Sequence, residues 1–173
     1  MAKKKRKIKK QEYNIGYDEH AWRIFNDAIK LAFTLRNEFI TPEHLLMAMM
    51  NDRAFVTALN DAGVDMETIA DMKQMLTTVL DELLKCDTLG DTRTPEDNLS
   101  QQLMELTVDA IQQAIESDRD AISVPMLVMA MLKLEESWAR NILSGAVNDD
   151  ELLLMACVID VYEPDDINDD VTL

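Results

Sequence analysis

The chain is poor in the residues that mark β-rich, disulfide-bound or nucleotide-binding proteins. Of 173 residues only 5% are aromatic, and there are 4 Gly, 4 Pro, 2 Cys and 2 His. Few turn formers beside many Leu, Met, Ala, Glu and Asp favour helices, and no segment stands out as a strand. Gly16, Gly63, Gly90 and Gly145 lie far apart, so no glycine-rich loop can wrap a phosphate and no Gly-Lys-Ser/Thr follows one. Cys86 and Cys157 lack metal-ligand spacing and read as small core or boundary residues in a reducing compartment. With His20 and His44 as the only histidines, neither cysteine sits in a nucleophile-like turn. Acidic pairs such as Asp149-Asp150 fall where capping and solvation explain them, and the acidic tail lacks the spacing and central Gly of a calcium loop. These absences argue against enzyme activity, cofactor and metal. No apolar run reaches the roughly 20 residues of a membrane span, and none follows the basic start as a signal peptide would, so a cytoplasmic protein is expected.

Charge is divided unevenly. Seven of the 17 basic residues fall in the first ten positions, so residues 11–173 hold 10 basic against 33 acidic. Such a body repels nucleic-acid phosphate and favours basic partners. The run Lys3-Lys4-Lys5-Arg6-Lys7 has the composition of a nucleic-acid arm or import signal, but reads first as a solubilising terminus. The segment from Glu163 to Asp170 is acidic and unpatterned, the composition of a disordered end or a linker.

What the chain does have is an internal duplication. Residues 24–50 recur at 106–132 with an offset of 82 and 9 identities in 27 positions. Asp27-Ala28-Ile29 matches Asp109-Ala110-Ile111, Ile40 matches Ile122, and Met47-Ala48-Met49 matches Met129-Ala130-Met131. The identities fall on apolar or capping sites, where a shared fold would demand them.

Each copy reads as four helices. In the first, Asp18 caps a helix whose stripe is Ala21, Ile24, Phe25, Ala28, Ile29, Ala32 and Leu35, at i, i+3, i+4 spacing. Thr41 and Pro42 then open a short helix with Leu45, Leu46, Met49 and Met50 inward. Phe55, Ala58, Leu59 and Ala62 mark a third, stopped by Gly63. Asp65 caps the fourth, with Ile69, Met72, Leu76, Val79, Leu80 and Leu83. In the second copy Leu103, Leu106, Ala110, Ile111 and Ala114 make the long helix and Ser123 caps the short one. Trp138, Ile142 and Leu143 form the third, ending at Gly145, and Asn148 caps a fourth through Leu152, Met155, Ala156 and Ile159. The expectation is an all-α fold of eight helices in two four-helix repeats, 17–85 and 99–162. Residues 1–16 would be a basic arm, 86–98 a connection and 163–173 an acidic tail or linker. Neither half covers its own apolar faces, so the copies are expected to pack about a pseudo-twofold axis, with the Met-Ala-Met stripes as the seam.

The stretch Asn37-Glu38-Phe39-Ile40-Thr41-Pro42-Glu43-His44-Leu45-Leu46 resembles the amino-terminal domain of Clp unfoldases, with Glu38-Phe39 most similar to the ClpA-type branch. The resemblance spans roughly residues 17–162. It implies a non-catalytic domain that docks unfolded substrates or adaptors onto an AAA+ ring and its Clp peptidase, in protein quality control. It also implies that Glu38 and Glu43 contact a small ClpS-like adaptor, from positions that can both face solvent. His44 reads as a structural histidine. The second copy departs from the pattern: Pro125 and Met126 replace the Glu-His pair. The paired glutamates that receive phosphorylated arginine in ClpC-type domains therefore lack their second member. A stand-alone subunit that modulates a Clp complex, and a basic-armed nucleic-acid-binding helical protein, are the alternatives; the net acidity disfavours the second.

Overall fold

The computed structural model describes residues 15–86 and 98–158. Most of the basic arm, the connection with Gly90 and Pro95, Ile159 and the acidic tail lie outside the described residues. The first copy comprises β1 (Gly16–Tyr17), α1 (Glu19–Thr34), α2 (Pro42–Met50), α3 (Arg53–Asp61) and α4 (Met66–Glu82). The second comprises α5 (Gln101–Glu116), β2 (Ala121–Ile122), α6 (Val124–Leu132) and α7 (Trp138–Ala146), followed by α8 at 150–158. The fold is all-α in class, with eight helices among the described residues. The first two helices of each copy begin and end 82 residues apart, at the offset of the duplication.

Local chemistry explains most boundaries. Asp18, Asp52, Asp65, Ser100 and Ser137 each accept a backbone N–H in the first turn of the helix they cap. This satisfies donors that a helix start otherwise leaves open. The long helices α1 and α5 both stop on a left-handed residue that is not glycine, Arg36 (φ 60°) and Asp118 (φ 55°), again 82 apart. In each copy the next N–H turns back, Asn37 to the Ala32 carbonyl at 2.9 Å and Arg119 to that of Ala114 at 2.8 Å, closing the last turn. Gly63, with φ 93°, ends α3 as expected.

Several expectations need correction. A short parallel pair joins Gly16–Tyr17 to Ala121–Ile122, where no strand was expected; two residues are too few to leave a periodic signal. Its counterpart is a single parallel bridge between Ile40 and Leu99. Adding or subtracting 82 exchanges Tyr17 with Leu99 and Ile40 with Ile122, so each copy gives the other the pairing it receives. Gly145 does not stop α7, which runs on to Ala146. The cause is Leu134-Glu135-Glu136: the second copy has these residues between its second and third helices, where the first passes straight from Asn51 to Asp52. The buried stripe of α7 is therefore Ala139, Ile142 and Leu143, and Trp138 faces outward. In α8 the inward residues are Leu153, Ala156 and Cys157, while Leu152 and Met155 are exposed. Its start is capped by Asp149 rather than Asn148. Ser123 holds the cap position of α6 without a side-chain cap bond.

One continuous core runs through both copies, from Ala21 and Phe55 to Leu143 and Cys157. The seam is made chiefly by α4 against α7, with α2 on α5 and α7 and α1 on α6, rather than by Met-Ala-Met stripes facing each other. Burial on this scale couples the copies. Leu59→Ala in the first and Leu143→Ala in the second should each lower the same single thermal transition, by about 2–5 kcal/mol. Two transitions that respond separately in scanning calorimetry would contradict a shared core.

Candidate docking surface at the loop between the first two helices

Residues 35–41 join α1 to α2 and are held on both sides by backbone hydrogen bonds. Toward the end of α4, Glu38 N–H donates to the Leu84 carbonyl at 2.9 Å and Cys86 N–H to that of Arg36 at 2.7 Å. Toward the second copy, Ile40 N–H donates to Asn98 at 2.8 Å and Ser100 N–H to Ile40 at 2.9 Å. A loop pinned this way presents its side chains from fixed positions. Glu38 is half-buried there, and beside it Phe39 is 42% exposed.

Glu43 points elsewhere. It is only 4% exposed, and its Oε2 accepts the Ala139 N–H at 3.0 Å and the Ser137 hydroxyl at 3.3 Å. A carboxylate at the start of α2 thus supplies an acceptor to the N-terminus of α7 in the other copy, where free N–H groups and the helix dipole favour negative charge. Burial raises the carboxyl above its ordinary value, opposed by the hydrogen bonds from Ala139 and Ser137. The two glutamates therefore do not form one solvent-facing pair: the first-turn position of Glu43 looks outward on an isolated helix, but the incoming α7 covers it.

The neighbouring His44 has no exposed surface. Its Nδ1 accepts the Thr41 N–H at 3.0 Å and lies 2.8 Å from the Thr41 hydroxyl, which in turn accepts the His44 N–H at 3.4 Å. That arrangement places the ring proton on Nε2, which donates to Asn37 Oδ1 at 2.9 Å. The Asn37 amide then reaches the Leu80 carbonyl at 3.4 Å, tying the loop to α4. Burial, with the charge of Lys85 nearby, lowers the His44 pKa to about 4, so the ring is neutral and structural. A second polar tie joins His20 Nε2 to both Asp52 oxygens at 3.0 Å, linking the start of α1 to the cap of α3. Sequence reasoning missed Asp52; its place just before an apolar 3.6-period was the available signal.

The second copy has none of the His44 network. Arg119, Ser123 and Met126 stand where Asn37, Thr41 and His44 do, and they line a groove of about 750 Å³ with Met129, Leu154 and Met155. Among the described residues no cluster of His, Cys, Asp or Glu can hold a metal ion. Nor is any helix among them long and apolar enough to cross a membrane.

Paired helical copies with exchanged strand pairings and a pinned loop after the first helix define a Clp-type amino-terminal fold. The chain belongs to the Clp repeat (R) N-terminal domain family, whose pattern matches residues 16–146. No curated protein matches it in sequence. The Hsp104 N-terminal domain from Candida albicans is similar in structure, with a TM-score of 0.65 at 17% identity, over 83% of this chain and 89% of that one. The N-terminal domain of the chaperone ClpD from Arabidopsis thaliana gives 0.56 at 18% identity, over 84% and 94%. A chain from a study of the ATPase ClpV and the TssB-TssC sheath gives 0.55 at 16% identity, over 86% of each. At these identities the likeness is one of fold. Clp N-terminal domains are non-catalytic regulatory domains, and no ATPase or peptidase domain appears in the 173 residues.

Two stability predictions follow from this geometry. Glu43→Gln keeps an acceptor for Ala139 and Ser137 and should be nearly neutral, whereas Glu43→Ala should destabilise by about 1–3 kcal/mol by orphaning buried donors; equal melts for the two variants would refute the tie. For His44, the unfolded chain takes up a proton near pH 6.5 while the folded chain resists until about 4. Its contribution is therefore complete above pH 6.5 and lost as pH falls toward 4. Between pH 7 and pH 5 the wild type should lose about 2 kcal/mol more than His44→Gln, with Glu43 common to both. Parallel losses in urea titrations would contradict the buried neutral ring.

Proposed function

We propose that the chain is the substrate- and adaptor-docking domain of a Clp-type AAA+ unfolding machine in the cytoplasm. The pinned α1–α2 loop carries this reading: it offers Glu38 beside an exposed aromatic, Phe39, from a backbone held on both sides. Aromatic side chains, Phe among them, are enriched at protein interfaces relative to the rest of the surface. The chain itself performs no chemistry. It captures a small ClpS-like adaptor or an unfolded protein and delivers it to the ATPase ring and Clp peptidase of its parent assembly. Its acidic surface steers basic partners toward it and repels nucleic acid.

Within this reading Glu38 touches the adaptor directly, and Glu43 acts through α7 as a positioning residue. The role of Glu43 follows from where its carboxylate is engaged, on Ala139 and Ser137. Paired substitution of Glu38 and Phe39 by Ala should weaken binding of a ClpS-like adaptor by about tenfold or more, with the helical signal intact. Asp120→Ala, at the matching position of the second copy, should leave affinity unchanged. Equal affinity of wild type and the Glu38/Phe39 double variant in calorimetry would show that this loop is not the docking surface.

A further inference from the structure

Between α4 and α7, on the principal seam of the two copies, lies a groove of about 820 Å³. Met72, Met75 and Val79 line it from α4, and Trp138 and Ile142 from α7. Trp138 is 62% exposed and Met75 47%. Covering the exposed Trp138 and Met75 removes apolar surface from water, and methionine adapts to varied partners.

Charge at the rim selects what covers them. Asp71 and Glu82 are both exposed along the same wall, eleven residues apart. Eleven residues make about three turns and about 16 Å, so both carboxylates stand on one face at opposite ends of the groove. No Lys, Arg or His is among the described lining residues. A strand advances about 3.3 Å per residue, so the gap between the carboxylates spans about five residues of extended peptide.

Gly145 provides an independent observation. It lies in the groove wall near the end of α7, in helical conformation, and a Cβ built there would meet nothing within 4 Å. Glycine within a helix is destabilising relative to alanine. Among the described residues neither a left-handed backbone nor close packing requires a glycine here. The open space over it leaves room for an incoming chain to approach the backbone.

We infer that the α4–α7 groove binds an extended polypeptide segment of about five apolar residues flanked on both sides by Lys or Arg. This rests on the docking reading and gives it a second site, formed by both copies and separate from the Glu38–Phe39 loop. The apolar residues cover Trp138 and Met75, the flanking cations meet Asp71 and Glu82, and the peptide backbone passes over Gly145. Acidic-flanked segments are repelled.

The test uses the full chain with Trp22→Phe, leaving Trp138 as the single indole reporter. The probe is a tryptophan-free peptide of about five Leu, Ile and Val residues between Lys-Arg pairs. The control carries the same apolar centre between Glu pairs. A saturable shift in Trp138 emission is expected with the basic probe, and about tenfold or more weaker binding of the control. Joint Asp71→Lys and Glu82→Lys substitution should reverse that preference. Gly145→Leu should weaken the basic probe by about tenfold while the melting temperature holds or rises. Equal affinity for both peptides, or an undiminished response in Gly145→Leu, overturns the proposal. So does an emission change that follows protein concentration without peptide, since the occupant is then a second copy of the chain. Adaptor binding measured on the same samples separates the two readings. Loss of peptide binding with adaptor binding intact removes only the groove; the converse removes only the loop.

Discussion

The carboxylate of Glu43 on the N-terminus of α7 ties the two copies together by a buried polar contact, beside the apolar core that they share. It reaches from the first turn of α2 to Ala139 and Ser137, almost a hundred residues on, in a place where water is excluded. Ser137 caps the Arg140 N–H, but without Glu43 the buried Ala139 N–H would lose its acceptor, and a buried donor is expensive to leave open. With it, α7 is fixed against both α2 and α4. The groove wall that carries Trp138 is part of the same helix.

The two copies share their framework and differ in what they do with it. Both use the same left-handed stop after the first helix, and their strand pairings exchange under the offset of 82. In the first, Asn37, Thr41 and His44 form a buried polar chain that stiffens the loop, because each donor and acceptor in it has a partner. In the second, Arg119, Ser123 and Met126 cannot build that chain, and a groove lies in its place. The short insertion of Leu134-Glu135-Glu136 shifts α7 against its counterpart and brings Ser137 to the Glu43 carboxylate. Divergence after duplication has thus left one copy with a rigid presenting loop and given the other the helix that completes the seam.

Periodicity revealed most of this architecture. Most of the stripes of α1, α2, α3 and α4, the Thr41-Pro42 start and the Gly63 stop lie where the residue pattern places them, because burial on one helix face leaves a strong repeat in sequence; Leu35 and Leu83 fall past the helix ends and Val79 is only half-buried. The errors have local causes. Trp138, Leu152 and Met155 were assigned inward on apolar character at helical spacing, which does not fix which side of a short helix meets the core. The β1–β2 pair is too short for any alternation to register. Glu43 was assigned to solvent because an isolated helix start exposes its first turn; only the tertiary arrival of α7 buries it. The seam was harder still, since a Met-Ala-Met stripe says that a face is buried without saying against what.

Native-state amide hydrogen exchange at Ala139 tests the central tie most directly. First-turn helix amides ordinarily exchange readily because they lack an intrahelical acceptor. If Glu43 holds α7 across the copies, the Ala139 amide should exchange only through global unfolding, at the rate of core amides such as Leu45 and Leu127, and become fast in Glu43→Ala. Fast exchange of Ala139 in the wild-type chain would contradict the account.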